Sequence, residues 1–192
     1  MVRKSKKYKD IITVARDLFW KHGFKRVSVE EICREANVSK MTYYKYFPNK
    51  KELAITIFNK LFEDGEKQFR EIIKEDSSAA EKMERLILLK MESTNNISPE
   101  FLQDFYTSSE PELKAFVEER TKKSMNLLIN DFKQAQEAGI FRKDFKPELL
   151  FKIQNTLIRI FEDENITSMF ESRQELIMEF VNLMIYGIAP RD

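Results

Sequence analysis

The chain has a single cysteine, Cys33, in 192 residues. No internal disulfide can form, and no cysteine-based metal cluster can be built. It also has a single histidine, His22, which leaves a zinc site without its usual ligand set. Glycine (4) and proline (5) are scarce. That argues against a β-sandwich or barrel, whose frequent turns need both. The longest apolar run near the C-terminus, Leu183 to Ala189, falls far short of the ~20 residues of a membrane span. The N-terminus, MVRKSKKYKD, is charged and leads into an amphipathic stretch, so it does not read as a secretory signal. The expectation is a soluble cytoplasmic protein with no membrane partner. No glycine-rich phosphate loop is present, and no nucleophile stands beside a base. Adjacent acids such as Glu30/Glu31 and Glu118/Glu119 point about 100° apart on a helix, so they are not acid/base pairs. The chain is therefore expected to be no enzyme, to carry no cofactor and to bind no metal.

What is present is apolar (42%) and charged (34%) in proportions that suit one or two helical cores. The whole-chain charge of +1 conceals an asymmetry. Residues 1–52 hold 14 Lys/Arg against 6 Asp/Glu, a balance of +8, and the remainder holds 19 against 26, a balance of −7. A basic head on an acidic body suggests a polyanionic partner for the head alone. The competing reading is a lysine-rich surface that only aids solubility.

Punctuation along the chain is regular. Tyr8, Ile11, Ile12, Ala15, Leu18 and Phe19 recur at helical spacing until Gly23. Ser28-Val29-Glu30-Glu31 reads as a capping box before a short helix, with Val29, Ile32, Cys33 and Ala36 on one face. Asn37 tolerates the left-handed backbone that ends a helix sharply. Ser39 then caps a third helix with Tyr43 and Phe47 facing inward, and Pro48 ends it. Asn49 caps a fourth helix, apolar at Leu53, Ile57, Leu61 and Phe62. Further starts fall at Ser78, Ser98-Pro99, Ser109, Pro147 and Ser172. No segment alternates with period two for long enough to make a strand. The expected fold class is all-α with about nine helices. A three-helix helix-turn-helix domain occupies residues 1–51, and a helical ligand-binding and dimerisation domain occupies 52–192.

Residues 28–47 hold two short helices joined by Ala36-Asn37-Val38. So short a turn forces a large crossing angle, the geometry in which the second helix enters the DNA major groove. Val38, Tyr43 and Phe47 serve the small core. Lys40 and Lys45 can meet phosphates or guanine edges, Thr42 can donate, accept or touch a thymine methyl, and Met41 offers apolar contact. Tyr44 and Tyr46 hydroxyls can reach phosphate oxygens. Lys50, at the start of the next helix, and Ser28, at a helix N-terminus, are further phosphate candidates.

The run Phe24-x-x-x-Ser28-Val29-Glu30-Glu31-Ile32-Cys33-x-x-Ala36-Asn37-Val38-Ser39-Lys40-Met41-Thr42-Tyr43-Tyr44-x-Tyr46-Phe47-x-Asn49-Lys50 resembles the tetracycline-repressor (TetR) family of bacterial regulators. The resemblance covers about the first quarter of the chain. The rest matches only in length, helical pattern and a terminal helix pair. The resemblance implies an Ω-shaped homodimer acting mainly as a repressor released by a small-molecule effector. By position it assigns DNA contact to Ser28, Lys40, Met41, Thr42, Tyr44, Tyr46 and Lys50; Lys45 is added from its exposed place on the helix. Asn37 stands where the family usually has glycine, Cys33 where alanine is common, and Met41 where glycine, alanine or proline is frequent. The last departure leaves the operator sequence open.

The body holds 13 of the 16 Phe and six of the eight Met. Most read as ordinary core; Met91, Phe105, Tyr106, Phe151 and Asn155 are candidates to line an effector pocket. The last two helices, about 147–163 and 173–188, carry Leu149, Leu150, Ile153, Leu157, Ile160 and then Leu176, Ile177, Phe180, Val181, Met184. These exceed one narrow stripe, and two copies could close a four-helix bundle between subunits. The leading function is a ligand-released repressor that binds a near-palindromic operator as a homodimer. Two alternatives stay open: a ligand-independent DNA organiser of the same fold, and an enzyme using the helical body.

Overall fold

A computed structural model describes residues 5–94, 98, 100–101, 104, 111–149, 152–153, 163–171, 175–176, 179 and 182–183. Among these the chain is all-helical, without strands. Seven helices have definite bounds: α1 (Lys6–His22), α2 (Val29–Glu35), α3 (Lys40–Tyr46), α4 (Lys50–Lys74), α5 (Ala79–Thr94), α6 (Pro111–Glu137) and α7 (Glu164–Thr167). The last is a single turn capped by Asp163, and it lies between the two final helices that the sequence suggested at about 147–163 and 173–188. Residues 147–149 and 152–153 are helical, as are 175–176 and 182–183. Of the apolar positions expected on the final helix pair, Leu149, Ile153 and Leu176 are described. Leu150, Leu157, Ile160, Ile177, Phe180, Val181 and Met184 lie outside the described residues.

The chain divides into two compact units, residues 1–64 with 94–122, and residues 65–93 with 123–192. In the first, α1 presents Ile11, Ile12, Ala15 and Phe19 inward at 3–4 residue spacing. They meet Ile32 and Cys33 of α2, Tyr43 of α3, Phe47, and Leu53, Ala54 and Ile57 of α4. Burying each large apolar side chain contributes roughly 1.5–3 kcal/mol, against about 1 kcal/mol for a cap. The core therefore holds the helices together, while the caps decide where each begins.

Those caps are the ones the sequence marked. Ser28 Oγ accepts the Glu31 N–H at 3.1 Å, Ser39 Oγ the Thr42 N–H at 3.1 Å, and Asn49 Oδ1 the Glu52 N–H at 2.8 Å. At Ser78 the box is reciprocal: Ser78 Oγ accepts from the Glu81 N–H, and the Glu81 carboxylate accepts from the Ser78 N–H at 2.8 Å. These bonds hold the Glu81 carboxyl below the ordinary carboxylate range.

The turn between α2 and α3 is set by Asn37, the one non-glycine residue with positive φ among those described, at 49°. Its N–H donates to Arg34 O at 3.1 Å, and the Val38 N–H reaches back to Cys33 O at 2.9 Å. This pair of bonds is a Schellman closure, and it stops α2 abruptly. The same closure recurs after α6. There Gly139 has φ 78°, its N–H donates to Gln136 O, and the Ile140 N–H donates to Ala135 O.

The second unit is built around Phe69, Ile72, Met83, Leu86, Ile87, Phe132, Ala135 and Phe141. Phe132 and Phe141 stack with centroids 4.4 Å apart. Gln136 Nε2 donates to Arg142 O and Phe145 O, fixing the segment after α6. Arg70 Nε pairs with Asp131 at 2.7 Å. An open groove between α4 and α5 is lined by Gln68, Glu71, Ile72, Glu75, Arg85, Leu88 and Leu89. Met91 lies on α5, whereas Phe105, Tyr106, Phe151 and Asn155 lie outside the described residues.

The left-handed turn gives a test. Asn37→Gly should leave the urea midpoint of unfolding unchanged or slightly raised. Asn37→Val should lower the unfolding free energy by about 1–2 kcal/mol or more, because a β-branched residue resists that backbone.

Candidate nucleic-acid interface

α3 is seven residues long, about 10 Å of helix. It projects its side chains in two directions. Tyr43 and the following Phe47 are buried. On the opposite side Ser39, Lys40, Met41, Tyr44 and Lys45 are exposed, and Thr42 and Tyr46 are half-buried at the flanks. Met41 is 83% exposed, a large apolar side chain that contributes little to folding. Tyr44, 52% exposed, sits edge-on to the Tyr43 ring at 5.3 Å. The face thus offers two cations, a thioether, a phenol and a hydroxyl on a helix narrow enough for a major groove about 12 Å wide.

Several of these groups already have partners. The Lys40 ammonium pairs with the Glu30 carboxylate of α2. Their hydrogen bond holds the Glu30 carboxyl below the ordinary carboxylate range and raises Lys40 above its usual value. Both ends are solvent-exposed, and an ion pair of this kind is cheaply exchanged for a phosphate. Thr42 Oγ1 lies 3.0 Å from Ser39 Oγ. Tyr46 OH lies 2.6 Å from Ser5 Oγ, and its ring meets Tyr8 edge-on at 5.6 Å. Tyr8 also stacks on Phe47 at 5.3 Å. The first turn of α1 therefore fastens the last turn of α3. Ser28 is exposed at the start of α2, with its hydroxyl capping that helix.

Lys50, a phosphate candidate in the sequence, is turned onto backbone carbonyls. Its Nζ donates to Phe24 O at 2.7 Å, Val27 O at 2.8 Å and Lys25 O at 3.3 Å, and lies 4.4 Å from the centroid of the Phe24 ring. An ammonium has three N–H donors, and all three face backbone carbonyls. Three residues that the sequence did not single out thus shape this surface: Glu30, Ser5 and Asp104, which takes the Lys25 N–H at 2.8 Å. Glu30 sits in the first turn of α2 and could have been suspected from charge. Asp104, 79 residues from its partner, left no local signal.

Cys33 is buried, and burial pushes its thiol pKa up, away from the reactive thiolate. His22 stands 3.2 Å from an Arg26 guanidinium nitrogen at the end of α1. Among the described residues no group of three or more His, Cys, Asp or Glu side chains is placed to hold a metal ion, and no helix is long and apolar enough to cross a membrane.

Tyr43 fills the centre of the head, yet its hydroxyl is buried with no hydrogen-bond partner among the described residues. Burial drives the phenol pKa upward, so it stays neutral. A buried unpaired hydroxyl costs about 1–3 kcal/mol. Tyr43→Phe should therefore raise the thermal midpoint and leave DNA affinity unchanged in a fluorescence-anisotropy titration.

Comparison with known proteins agrees with this geometry. Residues 11–57 match the family described as bacterial regulatory proteins, tetR family. A fatty acid metabolism regulator protein of Bacillus subtilis is 25% identical over 197 residues, covering 98% of each chain. The fatty acid degradation regulator FadR from Bacillus halodurans has the same fold, with a TM-score of 0.72, 23% identity, and 96% and 97% of the two chains covered. FadR from Bacillus subtilis, solved in complex with stearoyl-CoA, superimposes with a TM-score of 0.63 at 23% identity over 93% and 96% of the chains. The helix-turn-helix head, residues 11–57, is thus similar to that of the tetR family of bacterial regulatory proteins.

Proposed function

We propose that the protein is a dimeric transcriptional repressor whose head, residues 1–51, reads a near-palindromic operator, and whose body, residues 52–192, binds the effector and the second subunit. The observation that carries this reading is the outward face of α3. A methionine 83% exposed beside Lys40, Tyr44 and Lys45 has no folding role to explain it. Each subunit would insert α3 into one major groove, with half-sites separated by about one helical turn, roughly 34 Å, or a multiple of it. Lys45 and the Ser28 and Tyr hydroxyls supply phosphate contacts; Lys40, Met41 and Thr42 supply base discrimination. Support for a subunit interface comes from Leu149, Ile153 and Leu183, large apolar side chains exposed on the C-terminal segments. A second copy would bury them.

The same reading includes an effector. Relatives named for fatty acid metabolism, one of them solved with stearoyl-CoA, support a long-chain acyl thioester as the effector class. The phenylalanine- and methionine-rich body suits an acyl chain. Met91, Phe105, Tyr106, Phe151 and Asn155 remain the residues proposed to meet it.

Selection of binding sites from genomic DNA with the full-length protein tests the first part. Enrichment of a two-fold sequence is expected, and retention of no duplex overturns the reading. On the selected site, Lys40→Ala and Thr42→Ala should each cost about 1–3 kcal/mol. Met41→Ala should change the preferred bases without moving the thermal midpoint. Adding stearoyl-CoA should release the DNA with a coupling of about 1–3 kcal/mol, a 5- to 150-fold loss of affinity. Equal affinity with and without the thioester would exclude this effector class and leave the operator reading intact.

A further inference from the structure

The segment Phe24–Val27 joins α1 to α2 and carries no regular structure. Its apolar side chains are anchored, since Phe24 and Val27 are buried in the head core. Its backbone polar groups are gripped by two charged side chains from outside the segment. From one side the Lys50 ammonium, at the start of α4, donates to the carbonyls of Phe24, Lys25 and Val27. From the other, Asp104 Oδ2 accepts the Lys25 N–H at 2.8 Å, while Oδ1 lies 3.7 Å from the Lys25 ammonium. The Asp104 side chain is only 13% exposed. It also lies so close to Gly23 that a Cβ there would come within 2.7 Å of its Oδ2. Gly23 already has φ 80°, so this approach is reserved for glycine on two grounds.

We infer that Lys50 and Asp104 are positioning residues for DNA binding, clamping the 24–27 segment between them and so fixing where α2 begins and where α3 points. Lys50 acts through this segment and not by touching phosphate. The inference rests on the proposed DNA-binding function. α2 starts two residues beyond Val27, and the closure at Asn37 ties α3 rigidly to α2. A shift of the segment therefore moves Ser28 and the outward face of α3 together. Charge-assisted bonds are stronger than neutral ones, and those to a half-buried backbone are not freely traded for water.

The two alternatives for each residue predict different outcomes. Asp104 is an anion in the unit that holds the DNA-reading face. If charge alone mattered, Asp104→Ala and Asp104→Asn would both tighten binding to the selected duplex. A clamp predicts that Asp104→Ala weakens it, by roughly ten- to a hundredfold, as expected for loss of one or two charge-assisted hydrogen bonds. Asp104→Asn keeps an acceptor for the Lys25 N–H and should stay near wild type. For Lys50, a phosphate contact predicts that Lys50→Met lowers the slope of log K against log salt by about 0.9, and that Lys50→Arg binds as well as wild type. A clamp predicts that both variants lose affinity and that neither changes the slope. Should Lys50→Met fail to fold, Lys50→Arg and the Asp104 pair carry the comparison. Faster hydrogen exchange at the Lys25 amide in Asp104→Ala, with the thermal midpoint still well above the assay temperature, supports the clamp directly. Tighter binding by Asp104→Ala, or wild-type binding by Lys50→Arg, overturns it. A wild-type protein that retains no duplex overturns the DNA-binding reading and this inference together; wild-type binding with the wrong variant signs overturns this inference alone.

Discussion

The left-handed residue at Asn37 is the constraint on which the head depends. With φ of 49° it lets the Val38 N–H reach Cys33 O and its own N–H reach Arg34 O, so α2 ends within one residue. A gentler exit would carry α3 away from α1. With this one, Val38 packs on the core, Tyr43 and Phe47 are driven inward, and Lys40, Met41, Tyr44 and Lys45 are left outside by the helical period alone. The outward face is thus a by-product of how the inner face is buried. Glycine would take this conformation more freely, but asparagine takes it at small cost, because its short polar side chain tolerates the left-handed region.

The basic charge of the head separates into two populations. Lys50 is turned inward onto three carbonyls and an aromatic face, where its charge holds backbone together. Lys40, paired with Glu30 in open solvent, is held by an interaction worth little against water and salt. Lys51 is paired with Glu112 in the same unit. The balance of +8 in residues 1–52 therefore overstates the charge offered to a polyanion. Glu30 also places an acid at the rim of the surface.

What could be read in the sequence and what could not divide along sequence distance. Ser28, Ser39, Asn49, Ser78, Gly23 and Asn37 each act on a backbone group within a few residues, and all were legible from type and spacing. The inward faces of α1, α2 and α3 followed from period alone. The inward turn of Lys50 was hidden, because its acceptors are carbonyls 23 to 26 residues away, and carbonyls carry no side-chain signature. The unpaired hydroxyl of Tyr43 was equally hidden. An aromatic at an inward position signals burial but says nothing of what its oxygen meets. In the body, the excess of apolar residues indicated a second surface to be covered without saying by what.

The hydroxyl contact between Ser5 and Tyr46, with Tyr8 against Tyr46 and Phe47, closes the head into a ring across 41 residues. Such a ring cannot be completed piecemeal. A chain emerging from the ribosome can wind α1 early, but its first turn gains these partners only once residue 47 is free. Closing so long a loop costs entropy before any contact offsets it. The contacts of the first turn of α1 therefore form only once α3 is in place. The ring also begins six residues before the stretch that marks the family, residues 11–57. A fragment trimmed to that stretch would keep every outward side chain of α3 and lose the fastening that holds the end of α3 in place.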